Sequence, residues 1–83
     1  MTIEIVLTLF GSDFYPVERE KYLYEDLSKE FELPVATLKA IPNEKGGTCR
    51  VICGSKEVEL PKGEERYIRV PGNEDYEIKL TLR

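Results

Sequence analysis

The sequence contains no histidine, no tryptophan, a single methionine and only two cysteines in 83 residues. Histidine is the commonest general base and metal ligand in proteins, so its absence excludes most catalytic and metal-binding arrangements. Cys49 and Cys53 lie in a segment with strand character, where a separation of four residues spans about 13 Å, too far for a disulfide. The sequence therefore predicts a protein that is not an enzyme and has no metal site and no cofactor, with both thiols in the core.

Long apolar runs and an excess of basic residues are also missing. Twelve basic residues stand against sixteen acidic ones, which gives a net charge of −4 and no basic footprint for nucleic acid. No apolar run approaches the roughly 20 residues that span a bilayer. Residues 1–10 carry no basic leader and alternate as a strand does, so no signal peptide is predicted. We therefore expect a cytoplasmic protein that binds neither nucleic acid nor membranes.

Alternating apolar residues predict a strand at each end of the chain. In residues 2–10, every second residue from Ile3 to Leu9 is apolar, a period of two. Residues 76–83 alternate in the same way, with the apolar positions starting at Tyr76. Because the two apolar faces match, we expect these strands to lie side by side in the centre of one sheet. A more polar pattern predicts a return strand over residues 17–22.

The clearest local signal is a hairpin in the second half of the chain. Thr48–Cys53 and residues 56–60 are predicted strands separated only by Gly54 and Ser55, and a glycine in that place supplies the positive φ of a two-residue hairpin turn. The resulting register places Ile52 opposite Glu57 and Arg50 opposite Glu59. We expect Arg50 and Glu59 to form a charge pair on the outer face, while Cys49, Val51, Val58 and Leu60 share the inner face.

The middle of the chain predicts a helix. Leu23, Leu27 and Phe31 recur every four residues, which is typical of one apolar stripe on a helix, and Pro34 would end it. Residues 35–41 fit a short turn or connection, or alternatively a strand with Ala36, Leu38 and Ala40 on one face. We favour the connection.

Three segments of the sequence resemble the ubiquitin-like, or β-grasp, family. The residues from Arg50 to Lys56 read RVICGSK, which resembles the RLIFAGK that follows the helix in ubiquitin. The ELP at residues 32–34 resembles the GIP after that helix, and the final LTLR resembles LVLRLR. The resemblance implies one α+β domain over residues 1–83, in which a single helix packs on a mixed sheet.

The same resemblance implies a protein-binding surface on the outer face of the sheet. Ile52 matches the exposed isoleucine at the centre of the family's apolar patch, and the hairpin register also places Ile52 on the outer face. Val6 on the first strand is expected to adjoin it, Arg50 shares its face, and Lys79 stands where the family's patch has a valine. We therefore predict a non-catalytic protein–protein interaction module whose partner is a protein, with a site formed by Ile52, Val6, Arg50 and Lys79.

Three further classes of function stay open on the sequence alone. The acidic composition is compatible with a small inhibitor or antitoxin-like protein that occupies a basic site on an enzyme, and with a structural subunit of a larger assembly. The chain stops at Arg83 without the Gly-Gly tail of modifiers and sulfur carriers, and Gly46 and Gly47 are predicted loop residues. A modifier or carrier truncated before that tail is the remaining alternative.

Overall fold

Eight β-strands form the fold in the computed structural model, which describes residues 1–43 and 45–83. The strands are β1 (Ile3–Phe10), β2 (Pro16–Tyr24), β3 (Phe31–Glu32), β4 (Thr37–Asn43), β5 (Thr48–Cys53), β6 (Lys56–Pro61), β7 (Glu65–Arg69) and β8 (Tyr76–Leu82). Within the described ranges the only helical element is a single 3₁₀ turn at Ser12–Phe14. No helix there has the length and apolar character needed to cross a bilayer.

The strands form two four-stranded sheets around one core. Sheet I has the order β2-β1-β8-β7 and sheet II the order β3-β4-β5-β6, and all neighbouring strands in each sheet are antiparallel. The inner faces meet in a single apolar cluster that includes Ile5 and Leu80 of sheet I and Val51 and Leu60 of sheet II. After β6 the chain crosses from sheet II to sheet I, where Lys62 pairs with Leu82.

The prediction for the two terminal strands is confirmed. β1 and β8 are the central neighbours of sheet I, with Ile5 opposite Leu80, and both residues are fully buried. Beyond the ends of the strands, Thr2 and Arg83 exchange both backbone hydrogen bonds, at 3.5 and 2.9 Å. The period of two was sufficient here because a strand with one buried face must keep its apolar residues on alternate positions.

The predicted hairpin is confirmed in its register and in its turn. β5 and β6 pair with Ile52 opposite Glu57 and Cys49 opposite Leu60, and Gly54 has a φ of 58°. The predicted partner of Arg50 is wrong, because its Nε lies 2.8 Å from Oε1 of Glu57, the diagonal neighbour, rather than at the directly opposite Glu59. Diagonal neighbours across two strands are within reach of a long arginine side chain.

The predicted helix is wrong. Leu23 lies in β2 and Phe31 in β3, and Leu27 lies in the turn between them. In that turn, the Asp26 carboxylate accepts hydrogen bonds from the backbone N–H and hydroxyl of Ser28, at 3.2 and 2.5 Å. An aspartate that bonds to the backbone two residues on stabilises a turn in competition with a helix.

The buried residue of this segment is Tyr24, which the four-residue pattern did not include. Alternation along β2 brings Tyr24 into the core, where it is 2% exposed and its ring centroid lies 5.2 Å from that of Phe31. Its hydroxyl donates to the backbone carbonyl of Lys29. Burial of an aromatic side chain with a satisfied hydroxyl outweighs the weak preference of three apolar residues for a helix.

The α+β class and the β-grasp fold are therefore wrong, and the structure contradicts the resemblance to ubiquitin-like proteins. Residues 35–41, favoured as a connection, contain most of strand β4, and Leu38 and Ala40 are buried as the strand alternative required. With strands in place of both the helix and the connection, the described chain is an all-β sandwich. The RVICGSK likeness reflects a hairpin that occurs in both folds.

The hairpin formed by β1 and β2 extends beyond the second sheet. All residues from 11 to 20 are exposed, including the inward positions of β2. The tip carries Phe14, Tyr15 and Val17, with exposed fractions of 80%, 72% and 59%. The molecule is accordingly elongated, with principal extents of 42 × 21 × 18 Å.

Candidate functional site: a basic groove on sheet I

The structure divides the four predicted site residues between two surfaces. Val6 and Lys79 are directly opposed on the outer face of sheet I, whereas Arg50 and Ile52 lie on the outer face of sheet II. Ile52 is half-buried and points away from the core, as predicted. The expectation that Val6 adjoins Ile52 is wrong, because β1 and β5 belong to different sheets and their outward residues face away from the common core.

The outer face of sheet I forms a groove with a volume of about 660 Å³. We call it the basic groove, and it is lined by Glu4, Val6, Thr8, Arg19, Lys21, Tyr67, Glu77 and Lys79. These side chains come from all four strands of sheet I, because outward residues recur at every second position of each strand.

The registers place the groove residues in rows across the sheet. The central row runs Lys21, Val6, Lys79 and Tyr67, one residue from each strand. Adjacent strands are about 4.8 Å apart, so the side chains of Lys21 and Lys79 flank that of Val6. Tyr67, which is 58% exposed, closes the row at β7.

The outer face of sheet I has the opposite charge to the chain. It carries five basic and three acidic side chains, whereas the whole chain has a net charge of −4. The basic residues are Arg19, Lys21, Arg69, Lys79 and Arg83, and the acidic ones are Glu4, Glu65 and Glu77. The acidic excess therefore lies elsewhere on the surface, and this face is electrostatically suited to an acidic ligand.

Glu4 is the central carboxylate of this face and is held in its charged form. The Nζ of Lys21 lies 2.9 Å from its Oε1, and Nη2 of Arg83 donates to its Oε2. The hydrogen bond from Lys21, with the nearby charge of Arg83, lowers the pKa of Glu4 below the usual 4.5 although partial desolvation opposes the shift. A carboxylate with a lowered pKa is a poor general acid at neutral pH.

Arg19 differs from the other cations of the face. The Nζ of Lys79 lies 3.8 Å from Glu65, and Nη2 of Arg69 lies 3.7 Å from Glu77. Among the residues that the structure describes, Arg19 forms no ion pair and its side chain is exposed at the rim of the groove. An exposed, uncompensated guanidinium beside a groove is available to bind a carboxylate.

Arg19, Lys21 and Tyr67 were missed as site residues by the sequence analysis. The signal for the first two was present in the order of charges, since residues 18–21 read EREK, with both acids on one face of a strand and both bases on the other. The orientation of these faces does not follow from the sequence, because residues 17–22 show no apolar face. No feature of the sequence distinguishes Tyr67 from the other four tyrosines.

The two thiols do not contribute to this site. Cys49 and Cys53 are free and buried, with exposed fractions of 0% and 1%. Desolvation raises the pKa of both thiols, which disfavours the reactive thiolate. Within residues 1–43 and 45–83, no group of three or more His, Cys, Asp or Glu side chains is arranged to hold a metal ion.

A scan against protein-family models found no match, and neither curated proteins nor solved structures gave one. The inference of function therefore rests on the surface chemistry of the chain.

Proposed function

We propose that this chain is a non-catalytic protein-binding module that accepts an acidic segment of a partner protein in the basic groove. The observation that carries the proposal is the reversed charge of the groove face on an acidic chain. Electrostatic complementarity of this kind selects partners and accelerates their association.

The composition of the groove supports binding of an extended segment. Val6 provides apolar surface at the centre and Tyr67 provides an amphipathic ring at one side. Arginine and tyrosine are enriched among the residues that dominate protein interfaces. Because Arg19 has no ion pair within the described chain, a ligand carboxylate can bind it without breaking an internal contact.

The direct test uses fluorescein-labelled deca-glutamate as the probe and measures anisotropy at several salt concentrations. The Arg19→Glu variant should bind about tenfold more weakly, because an attraction becomes a repulsion at the rim. Its stability should change by less than about 0.5 kcal/mol, since no internal ion pair is lost. Affinity for the unmodified chain should fall steeply as salt rises.

Two matched variants locate the surface. Lys39→Glu makes a similar change of charge on the outer face of sheet II and should leave the affinity unchanged. Ile52→Arg tests the surface predicted from the sequence, and it should also leave binding unchanged if the groove is the site. Loss of deca-glutamate binding with Ile52→Arg but not with Arg19→Glu would refute the groove and support the sheet II surface. No binding of deca-glutamate at low salt would refute the groove as an acidic-segment site.

A further inference from the structure

One side of β2 has no hydrogen-bonding neighbour in the described residues. β2 pairs with β1 and stands at the end of sheet I. The strand is nine residues long, and positions 16–21 are exposed because the hairpin extends past sheet II. An open strand of this length is the feature to which another strand adds through its backbone.

The pairing at the ends of the chain identifies the free backbone groups of β2. Thr2 and Arg83 exchange both of their backbone hydrogen bonds, so Thr2 directs its N–H and C=O towards the β8 side. Successive residues of an antiparallel strand direct these groups to alternate sides. Even-numbered residues of β1 therefore bond to β8 and odd-numbered residues to β2. By the β1–β2 register, Arg19, Lys21 and Leu23 direct their N–H and C=O groups to the open side.

The side chains at this edge are sorted by charge between the two faces. Arg19 and Lys21 oppose Thr8 and Val6 on the outer face, and Glu18 and Glu20 point to the inner side, where they are exposed. A strand added to β2 lies directly opposite these residues on the same faces. It is matched when it presents acidic side chains to the outer face and basic side chains to the inner one.

A second copy of the same strand does not satisfy this requirement. Two antiparallel β2 strands related by a two-fold axis place the residue on the axis opposite its own copy. With the axis at Glu20, two carboxylates face each other and Arg19 faces Lys21. With the axis at Arg19, two guanidinium groups face each other and Glu18 faces Glu20. An axis at Lys21 opposes two ammonium groups. Like charges directly opposite each other destabilise strand pairing.

The other edge of sheet I is less accessible to a β2 strand from a second copy. Lys56 donates through Nζ to the backbone carbonyl of Arg69 at 3.0 Å, which covers that end of β7. At the other end, Nη1 of Arg66 donates to the backbone carbonyl of Glu65 at 2.8 Å, which occupies a second acceptor on the open side of β7. The open edge of β2 therefore fits a strand from a different protein better than either edge of its own copy.

We infer that the partner adds a β-strand to β2 and that this strand alternates acidic and basic residues over at least four positions. The inference names the partner class for the binding module and rests on that proposal. The acidic side chains of the added strand lie on the outer face, next to Arg19 and Lys21, which line the β2 side of the basic groove. Backbone hydrogen bonds to Arg19, Lys21 and Leu23 provide the attachment, and alternation of charge provides the register.

The test compares two synthetic decapeptides of equal composition. One strictly alternates lysine and glutamate, and the other is a block isomer with five lysines followed by five glutamates. The alternating peptide should bind at least about tenfold more tightly, because only its extended form matches both faces of β2. Equal affinity for the two peptides would overturn the inference, since unspecific charge attraction would then account for the binding.

A pair of variants separates the contribution of the β2 backbone to binding from that of the Lys21 charge. Lys21→Ala removes the ammonium group and keeps the backbone N–H, whereas Lys21→Pro removes both. The N–H of Lys21 points to the open side, so proline at this edge position breaks no bond to β1. Lys21→Pro should bind the alternating peptide at least about fivefold more weakly than Lys21→Ala. Equal loss in the two variants would exclude strand addition.

Amide hydrogen exchange gives a readout that does not depend on affinity. In the free protein, the amides of Arg19 and Lys21 should exchange faster than those of Glu18 and Glu20, which bond to β1. Saturation with the alternating peptide should slow exchange at Arg19 and Lys21 at least about tenfold and leave the other two unchanged. If the peptide binds with no slowing at Arg19 and Lys21, strand addition is refuted even where affinity falls with the variants.

These measurements distinguish the inference from the proposed function. Binding of deca-glutamate that depends on Arg19, with no preference for the alternating peptide, would retain the groove and overturn strand addition. The reverse result would overturn the groove and retain strand addition. A concentration-dependent dimer in light scattering that Lys21→Pro abolishes and Lys21→Ala retains would show that a second copy occupies the edge, and would overturn the choice of partner.

Discussion

Glu4 shows how a single side chain on the groove links stability to pH. It lies on the central strand of sheet I, and its carboxylate accepts contacts from both Lys21 and Arg83. These contacts are lost in the unfolded chain, where the pKa returns to its usual value. Exposed ion pairs contribute little individually, but among the described carboxylates of this face only Glu4 contacts two cations.

The pH dependence of unfolding should therefore change in the Glu4→Gln variant. Because folding lowers the pKa of Glu4 below 4.5, the stabilisation is fully present above that pH and is lost as the pH falls through the folded pKa. The free energy of unfolding from urea titrations should consequently fall less between pH 7 and pH 3 in Glu4→Gln than in the unmodified chain.

Glu59→Gln is the control for this measurement, because Glu59 forms no ion pair within the described part of the chain. Each of the two variants removes one carboxylate, so a difference between their pH profiles isolates the effect of the Glu4 ion pairs. Parallel profiles for the Glu4→Gln variant and the unmodified chain would contradict the assignment.

Among the strands and turns, the β5–β6 hairpin is the most strongly specified. Its two-residue turn joins strands whose inward residues lie in the core on one side, so both the turn and the burial pattern select the same register. Of the two turn residues only Gly54, the first, has a positive φ. This is the pattern of a hairpin turn that requires glycine at its first central position. The conformation of this one residue therefore supports the whole hairpin.

Gly54→Ala should destabilise the protein by about 1 kcal/mol, because a Cβ is disfavoured at a φ of 58°. The added Cβ would lie 3.5 Å from Cγ of Pro71, an ordinary contact, so the cost comes from the backbone and not from a clash. Gly54→Asn should cost less, since asparagine tolerates this conformation better. Urea unfolding of the two variants measures the difference. Equal stability of Gly54→Ala and the unmodified chain would show that the turn does not require glycine at position 54.

Strands with one buried face could be predicted from the sequence, whereas the segment that joins the sheets could not. β1, β5, β6 and β8 were predicted because each has a period of two and meets the core on one side. The helix prediction over residues 23–34 is wrong because the four-residue spacing competes with the Asp26 turn and with burial of Tyr24 against Phe31, which depends on the tertiary structure. Treating that segment as a helix also led to the wrong fold class.

Only part of the candidate site could be predicted from the sequence in this way. Val6 and Lys79 were predicted, and the structure places them in the groove opposite each other. Arg19 and Lys21 were not, because β2 is exposed on both faces over most of its length and has no apolar pattern to indicate its orientation. The sequence does not show that Val6 and Ile52 lie on different sheets, because the division of the strands between the two sheets depends on long-range pairing.

The pairing of the two terminal strands at the centre of sheet I predicts that the chain can be circularly permuted. Thr2 and Arg83 are hydrogen-bonded neighbours, so a short glycine-rich linker can join the ends as a hairpin turn. New ends between Asn73 and Glu74 fall in an exposed turn between β7 and β8. This permutant should keep the circular dichroism spectrum of the unmodified chain, because exposed turns tolerate opening.

A second permutant provides the comparison. New ends between Val51 and Ile52 interrupt a central strand of sheet II beside a fully buried residue, and this chain should fail to fold. Cooperative urea unfolding of the first permutant and its absence in the second would confirm that β1 and β8 pair with their outer ends close enough to be joined. Failure of the first permutant to fold would contradict it.

The projecting hairpin and the extents of 42 × 21 × 18 Å have a consequence for motion in solution. A body about twice as long as it is wide tumbles more slowly end over end than about its long axis. Nitrogen relaxation rates should then depend on the direction of each amide bond relative to that axis, even in rigid strands. The orientation of the β1–β2 hairpin relative to the long axis can thus be measured in solution.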